Sequence, residues 1–196
     1  ISGARRGAAL VLTDAVLMLM SGLGALYSFT GAYGIVLTGD PILSCLLAFL
    51  AFTAIFSLPR YRWVILLMFG GVAAWVVWKQ WQLLADGAYV IWADICAVLA
   101  RWFDVDVIKL SLSVAEAQAA RRAFLSMAVV LLALALGWAI VRMHSTLLTV
   151  ALTLPPLLPA LLVGVIPPWP ALMTLVCCWL TLLLTTLLRR RSRNGA

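Results

Sequence analysis

Six runs of apolar side chains, at about residues 8–29, 41–58, 63–78, 123–141, 147–163 and 170–188, leave a chain of 196 residues few folds to adopt. A helix that crosses a hydrocarbon core of about 30 Å needs roughly 20 apolar residues at about 1.5 Å rise each. Each run is bounded by charge, glycine or proline, and none shows the alternating ten-residue pattern of a membrane barrel. Backbone polar groups in lipid are satisfied only within helices or closed barrels. The pattern therefore predicts an all-α fold, a polytopic membrane helix bundle of six transmembrane helices forming a single membrane domain over residues 1–196. Hydrophobic residues make up 65% of the chain and charged ones 11%, against about 25% charged in a soluble domain, so no room remains for a soluble catalytic domain. The chain starts at Ile1 rather than Met, as expected of a trimmed or processed polypeptide. Its first run is too long for the core of a cleaved signal and is followed by further spans, so it reads as a retained helix.

The formal charge of +7, from 14 basic and 7 acidic residues, does not point to nucleic acid, because membrane proteins gain basic excess from their cytoplasmic loops. Arg5 and Arg6 precede the first run, and Arg189, Arg190, Arg191 and Arg193 follow the last. Between them, Arg60 and Arg62 make one short turn basic, Arg142 and His144 lie in another, and residues 164–169 carry no charge. This distribution places both termini in the cytoplasm. Lys79, Arg101, Lys109, Arg121 and Arg122 then fall outside, in one long segment over residues 79–122 that also holds Asp86, Asp94, Asp104, Asp106 and Glu116.

That segment is the only stretch with space for something other than a crossing. Trp81, Leu84, Ala88, Ile91, Trp92, Ile95, Leu99 and Trp102 recur at three- and four-residue steps, with Asp86, Asp94 and Arg101 on the opposite side. The spacing predicts an outer interfacial amphipathic helix with its aromatic face towards lipid or the bundle. After a turn at Asp104, Val105 and Asp106, the pair Ser113 and Glu116 has capping-box spacing, so the fourth spanning helix is expected to begin near Val114.

Chemistry has few candidates. Asp14 lies within the first span, where a carboxylate is costly enough to suggest a proton or cation site; a structural carboxylate supported by Arg142 or another inner-loop base is the simpler expectation. Pro155, Pro156 and Pro159 interrupt the fifth span and deprive carbonyls such as those of Ala151, Leu152 and Pro155 of donors. Broken helices of this kind coordinate ions or substrates in transporters, but a kinked packing helix satisfied by Thr149, Thr153 or neighbouring helices fits a span without acidic or amide residues. Gly70/Ala74 and Ala133/Gly137 have the small-residue spacing of close helix contacts, expected to pack within the bundle. Trp63 and Trp138 at inner ends, and Trp75, Trp78, Trp81 and Trp169 at outer ends, form aromatic belts. Cys45, Cys177 and Cys178 lie in spans, Cys96 in the outer helix and the sole histidine, His144, in an inner loop, so no Cys–His pair converges. No catalytic, cofactor-binding or metal residue is predicted, and no cofactor.

The whole layout resembles the N-terminal membrane region of bacterial membrane-anchored transglutaminase-like proteins, chiefly the Gram-positive kind. The features that carry the likeness are the basic pair Arg5 and Arg6, two spans joined by a glycine-containing loop at residues 29–34, the basic turn at residues 60–62, the long outer segment, the proline-rich stretches at 154–158 and 167–171, and the closing arginines. The resemblance implies a bacterial cell membrane, a further span beyond the basic end, and then an extracytoplasmic domain with a Cys-His-Asp triad. Neither the span nor the triad lies in these residues, so no catalytic position carries over, and the chain is expected to be a non-catalytic membrane anchor within a longer polypeptide. A runner-up is the substrate-capturing membrane subunit of a vitamin-type transporter, which also packs six helices into just under 200 residues. The expected partners are the lipid bilayer and an appended extracytoplasmic domain or membrane partner, with no nucleic acid.

Overall fold

The computed structural model describes residues 2–35, 40–57, 62–100, 103, 112–143, 145–162 and 164–194, and all regular structure among them is helical. In chain order the elements are α1 (Ser2–Ala32), α2 (Asp40–Ser57), α3 (Arg62–Lys79), α4 (Trp81–Leu99), α5 (Val114–Gly137), a π-helical turn (Trp138–Arg142), α6 (Thr146–Thr153), α7 (Leu158–Leu162) and α8 (Trp169–Asn194). Arg60, Arg101, Trp102, Asp104, Asp106, Lys109 and His144 lie outside the described residues.

Four of these helices hold a stretch long and apolar enough to cross a membrane: Leu12–Ala32, Trp81–Leu99, Val114–Arg142 and Trp169–Leu187. The apolar parts described in α2 and α3 are shorter, Leu46–Phe56 and Trp63–Lys79. The sequence predicts six spans, and α2, α3 and the run at 147–163 fall short of the length that the other helices reach. The segment expected to be purely interfacial contains α4, which is apolar enough to cross because Asp86 and Asp94 are its only charges. The run at 147–163 is two short helices rather than one, because Pro155 and Pro156 lack the N–H groups that would continue the α6 ladder. The start of α5 is as expected: Ser113 Oγ accepts from the Glu116 N–H at 3.4 Å, and the Ser113 N–H donates back to Glu116 Oε2 at 3.0 Å. The Ser113 hydroxyl also donates to Glu116 Oε2 at 2.6 Å, and with the backbone N–H it holds the exposed Glu116 carboxyl below its ordinary range.

At one end of the bundle, Met18, Phe49, Phe52, Phe56, Ala133, Leu136, Ile140 and Leu182 form the largest buried cluster, joining α1, α2, α5, the π-helical turn and α8. Glycine makes room for its aromatic rings: the Phe49 ring lies directly on Gly22, and a Cβ on Gly137 would stand 2.7 Å from the Phe56 ring. Trp63 and Trp138 meet at this end, 6.3 Å between ring centroids.

The other end is built from helix termini. Gly34, at φ +66°, lets the Ile35 N–H reach the Thr30 carbonyl at 2.8 Å, and Gly164, at φ +74°, lets the Val165 N–H reach Ala160 at 2.9 Å. These two C-termini, of α1 and α7, bring Tyr33, Ile35 and Ala160 into one cluster with Ile91 of α4 and Leu125 of α5. The helix α4 thus lies over the ends of α1 and α7. By contrast α3 leaves most of its length uncovered, with Leu67 75% and Trp78 85% exposed. At Gln80, whose backbone leaves helical geometry (φ −115°, ψ 23°), the N–H closes α3 on Val76 and the carbonyl opens α4 by accepting from Leu84, both at 2.9 Å.

Candidate functional site

The break between α6 and α7 is where the backbone departs furthest from a simple bundle. Ser145 caps α6, its Oγ accepting from the Leu148 N–H at 3.3 Å. From there the two buried threonines bond upstream: Thr149 Oγ1 to the Ser145 carbonyl at 3.0 Å and Thr153 Oγ1 to that of Thr149 at 2.8 Å. Their hydroxyls therefore do not serve the carbonyls of Ala151 and Leu152, the i−4 partners that Pro155 and Pro156 abandon. The Leu154 carbonyl accepts from Leu157 at 2.9 Å and from Leu158 at 3.1 Å, and Pro155 accepts from Leu158 at 3.3 Å, so a tight turn replaces the lost helical bonds. Neighbouring helices complete it. The Tyr33 hydroxyl donates to the Pro156 carbonyl at 3.5 Å, and Trp179 Nε1 of α8 donates to Thr153 Oγ1 at 3.2 Å.

Beside this break lies a partly open cleft of about 220 Å³, walled by Ala25, Leu26 and Phe29 of α1, residues 124, 125, 128, 129 and 132 of α5, and Leu152 and Pro156. Every wall residue is Ala, Leu, Val, Phe or Pro. Ala25, Leu26, Leu125 and Val129 form the buried floor, while Phe29, Phe124, Ala128, Leu132 and Leu152 are half-buried at the rim.

The remaining candidates are dispersed. Asp14 is half-buried on α1, which packs against the π-helical turn ending in the exposed Arg142. Ala133 and Gly137 are buried in the bundle as their spacing suggested, whereas Gly70 and Ala74 stand exposed on α3 with open space around Gly70. Cys96 and Cys178 are buried and Cys177 is exposed; none of the three is in a disulfide. Among the described residues no group of three His, Cys, Asp or Glu side chains comes together to hold a metal ion.

The apolar series of α4 divides between bundle and surface: Ile91 is buried and Leu84, Ala88, Ile95 and Leu99 are half-buried. Gly87, Val90, Ile91, Ala93 and Cys96 are buried, while Trp81 is 64% and Trp92 56% exposed. Gly87 lets α4 settle onto α5: a Cβ there would collide with the Ala120 carbonyl oxygen and stand 2.7 Å from Phe124 Cβ. Asp94 also turns inward, where Arg121 Nη2 meets Oδ1 at 3.0 Å and Oδ2 at 2.8 Å, each side chain 25% exposed. Sequence spacing gave no signal for this pair, whose members lie on different helices and meet only once α4 folds onto α5.

Searches against family models, curated proteins and solved structures find no match to this chain.

Proposed function

We propose that this chain is the non-catalytic membrane-anchoring bundle of a larger protein, holding an extracytoplasmic enzyme domain against a bacterial cell membrane. The observation that carries the reading is the chemistry of the cleft beside the helix break. A vitamin-type substrate needs a few well-placed polar groups to fix its orientation, and the side chains of these walls are all hydrocarbon. The polar groups at the break are bonded to α1 and α8, which gives them a packing role. The resemblance noted above supplies the nature of the domain, transglutaminase-like with a Cys-His-Asp triad.

The topology belongs to the same proposal: α1, α2, α3, α5, the α6–α7 pair and α8 make six crossings, with both termini cytoplasmic and α4 lying in the outer interface. Support comes from the shared cluster of α4 with the C-termini of α1 and α7 and with Leu125, all of which this topology places on the outer side. The meeting of Trp63 with Trp138 supports a common inner end. In intact cells an impermeant thiol reagent should label a cysteine engineered at Asp104 and spare one at Asn194; the reverse pattern overturns the orientation.

The function is tested on the native polypeptide. An antibody to this segment should recover from membranes a species much larger than 196 residues, with peptides of an extracytoplasmic domain containing Cys, His and Asp in that order. Recovery of a chain of this length alone, with a vitamin-type compound bound, overturns the anchor and supports the transporter subunit.

A further inference from the structure

The apolar cleft is larger than anchoring requires, and its position specifies what would fill it. Its volume of about 220 Å³ exceeds the roughly 150 Å³ at which a dry apolar cavity already admits a benzene molecule. Water gains little there, since it needs two to four polar partners, the side chains of the wall offer none and backbone oxygen is only a small part of the lining. The cleft follows α5 from Phe124 to Leu132, nine residues or about 12 Å of helix, within a stretch apolar enough to cross the bilayer. At that depth the surrounding solvent is lipid tails, and the half-buried rim at Phe29, Phe124, Ala128 and Leu132 leaves the floor within their reach. Arg121 and Arg122 stand one turn before Phe124 and Leu125, about two turns into α5, where its apolar part begins and a headgroup would lie. Asp94 is the partner of Arg121, and both arginines bring their charge to that level.

We infer that the cleft is a lipid-binding site, taking one acyl chain of a bilayer phospholipid between α1, α5 and the α6–α7 break, with the anionic phosphate beside Arg122. Hydrocarbon walls match the chain, and a guanidinium matches the phosphate. The bound chain replaces the packing that a continuous fifth helix would have supplied and ties the broken segment to α5. This binding is independent of whether an enzyme domain is attached.

The purified chain is reconstituted into vesicles of phosphatidylethanolamine and phosphatidylglycerol, doped with phosphatidylglycerol carrying a diazirine midway along one acyl chain, and the photoadducts are mapped by mass spectrometry. Adducts are expected to concentrate on Phe29, Phe124, Ala128 and Leu132. An even spread over the exposed apolar surface, including Leu67 and Trp78 of α3, shows only annular lipid and overturns the site. Lipid retained after a detergent wash is then counted. Ala128→Phe and Leu132→Trp, which fill the cleft from two positions, should each lower retention about ten-fold, as the loss of roughly two methylene contacts predicts, while Ala74→Phe on the open face of α3 leaves it unchanged. Retention unaffected by both filling variants, with helicity preserved, overturns the proposal. Arg122→Gln should lower retention of phosphatidylglycerol several-fold, and unaltered retention refutes the headgroup position.

Discussion

Replacing Gly87 by alanine tests the placement of α4 through the sign of its effect. Within a helix an alanine is more favourable than glycine by about 0.8–1.0 kcal/mol, so on an open surface this change would stabilise α4. In the folded chain the new methyl would run into the Ala120 carbonyl oxygen and lie 2.7 Å from Phe124 Cβ and 2.9 Å from the Ala120 carbonyl carbon. Two of those three atoms are backbone and cannot rotate away, so α4 must lift from α5. Overpacking of this kind costs about 1–3 kcal/mol; with the propensity gain subtracted and the backbone clash placing the cost at the upper end, the net loss is about 1–2 kcal/mol. Cys96 reports it, because it is 4% exposed on the same buried side of α4. A shift of that size should speed alkylation of Cys96 in detergent micelles about 5- to 30-fold, followed by mapping the modified peptide. Gly70→Ala is the control, since nothing lies within 4 Å of its added methyl and it should be neutral or stabilising. If Gly87→Ala leaves Cys96 as protected as before, or more so, α4 does not rest on α5 by this face.

Three further outcomes follow from the same packing. A double-mutant cycle over Asp94→Asn and Arg121→Gln should give a coupling of about 1 kcal/mol, since each side chain is 25% exposed and the pair lies between a surface and a buried bridge; additive effects would mean that the pair is not formed. Ser113→Ala should cost about 1 kcal/mol at the start of α5, read as faster hydrogen exchange at Glu116 and Ala117. The lowered Glu116 carboxyl stabilises this start at pH above the ordinary carboxylate range and loses that effect as pH falls through its folded pKa, so the protection should decline in acid in the native chain and not in Ser113→Ala. Thr153→Val keeps the volume but removes the acceptor of the Trp179 indole N–H, and a loss of about 1 kcal/mol with altered Trp179 fluorescence is expected; an unchanged stability would remove this bond from the account of the helix break.

Local rules of the chain determined a good deal. Apolar runs demanded helices because a backbone in lipid has no other way to satisfy itself, Ser113 and Glu116 fixed the start of α5 to the residue, and Pro155 and Pro156 broke the fifth run because they have no N–H to donate. Each of these depends on neighbours within one helical turn. What lay beyond a turn was decided only in three dimensions. Periodicity placed Trp81, Ile91 and Trp92 on one apolar side of α4, but the bundle divided that side, burying Ile91 together with Gly87, Val90, Ala93 and Cys96 and leaving Trp81 and Trp92 outside. The packing of α4 on α5 created the Asp94–Arg121 pair, and the folding of α1 and α5 beside the broken α6–α7 segment opened the cleft. Apolar surface has no directional code, so hydropathy alone could say that these helices would meet lipid or one another but not which residues would close the contact. Shape complementarity chose them, and it exists only between helices that have already been brought together.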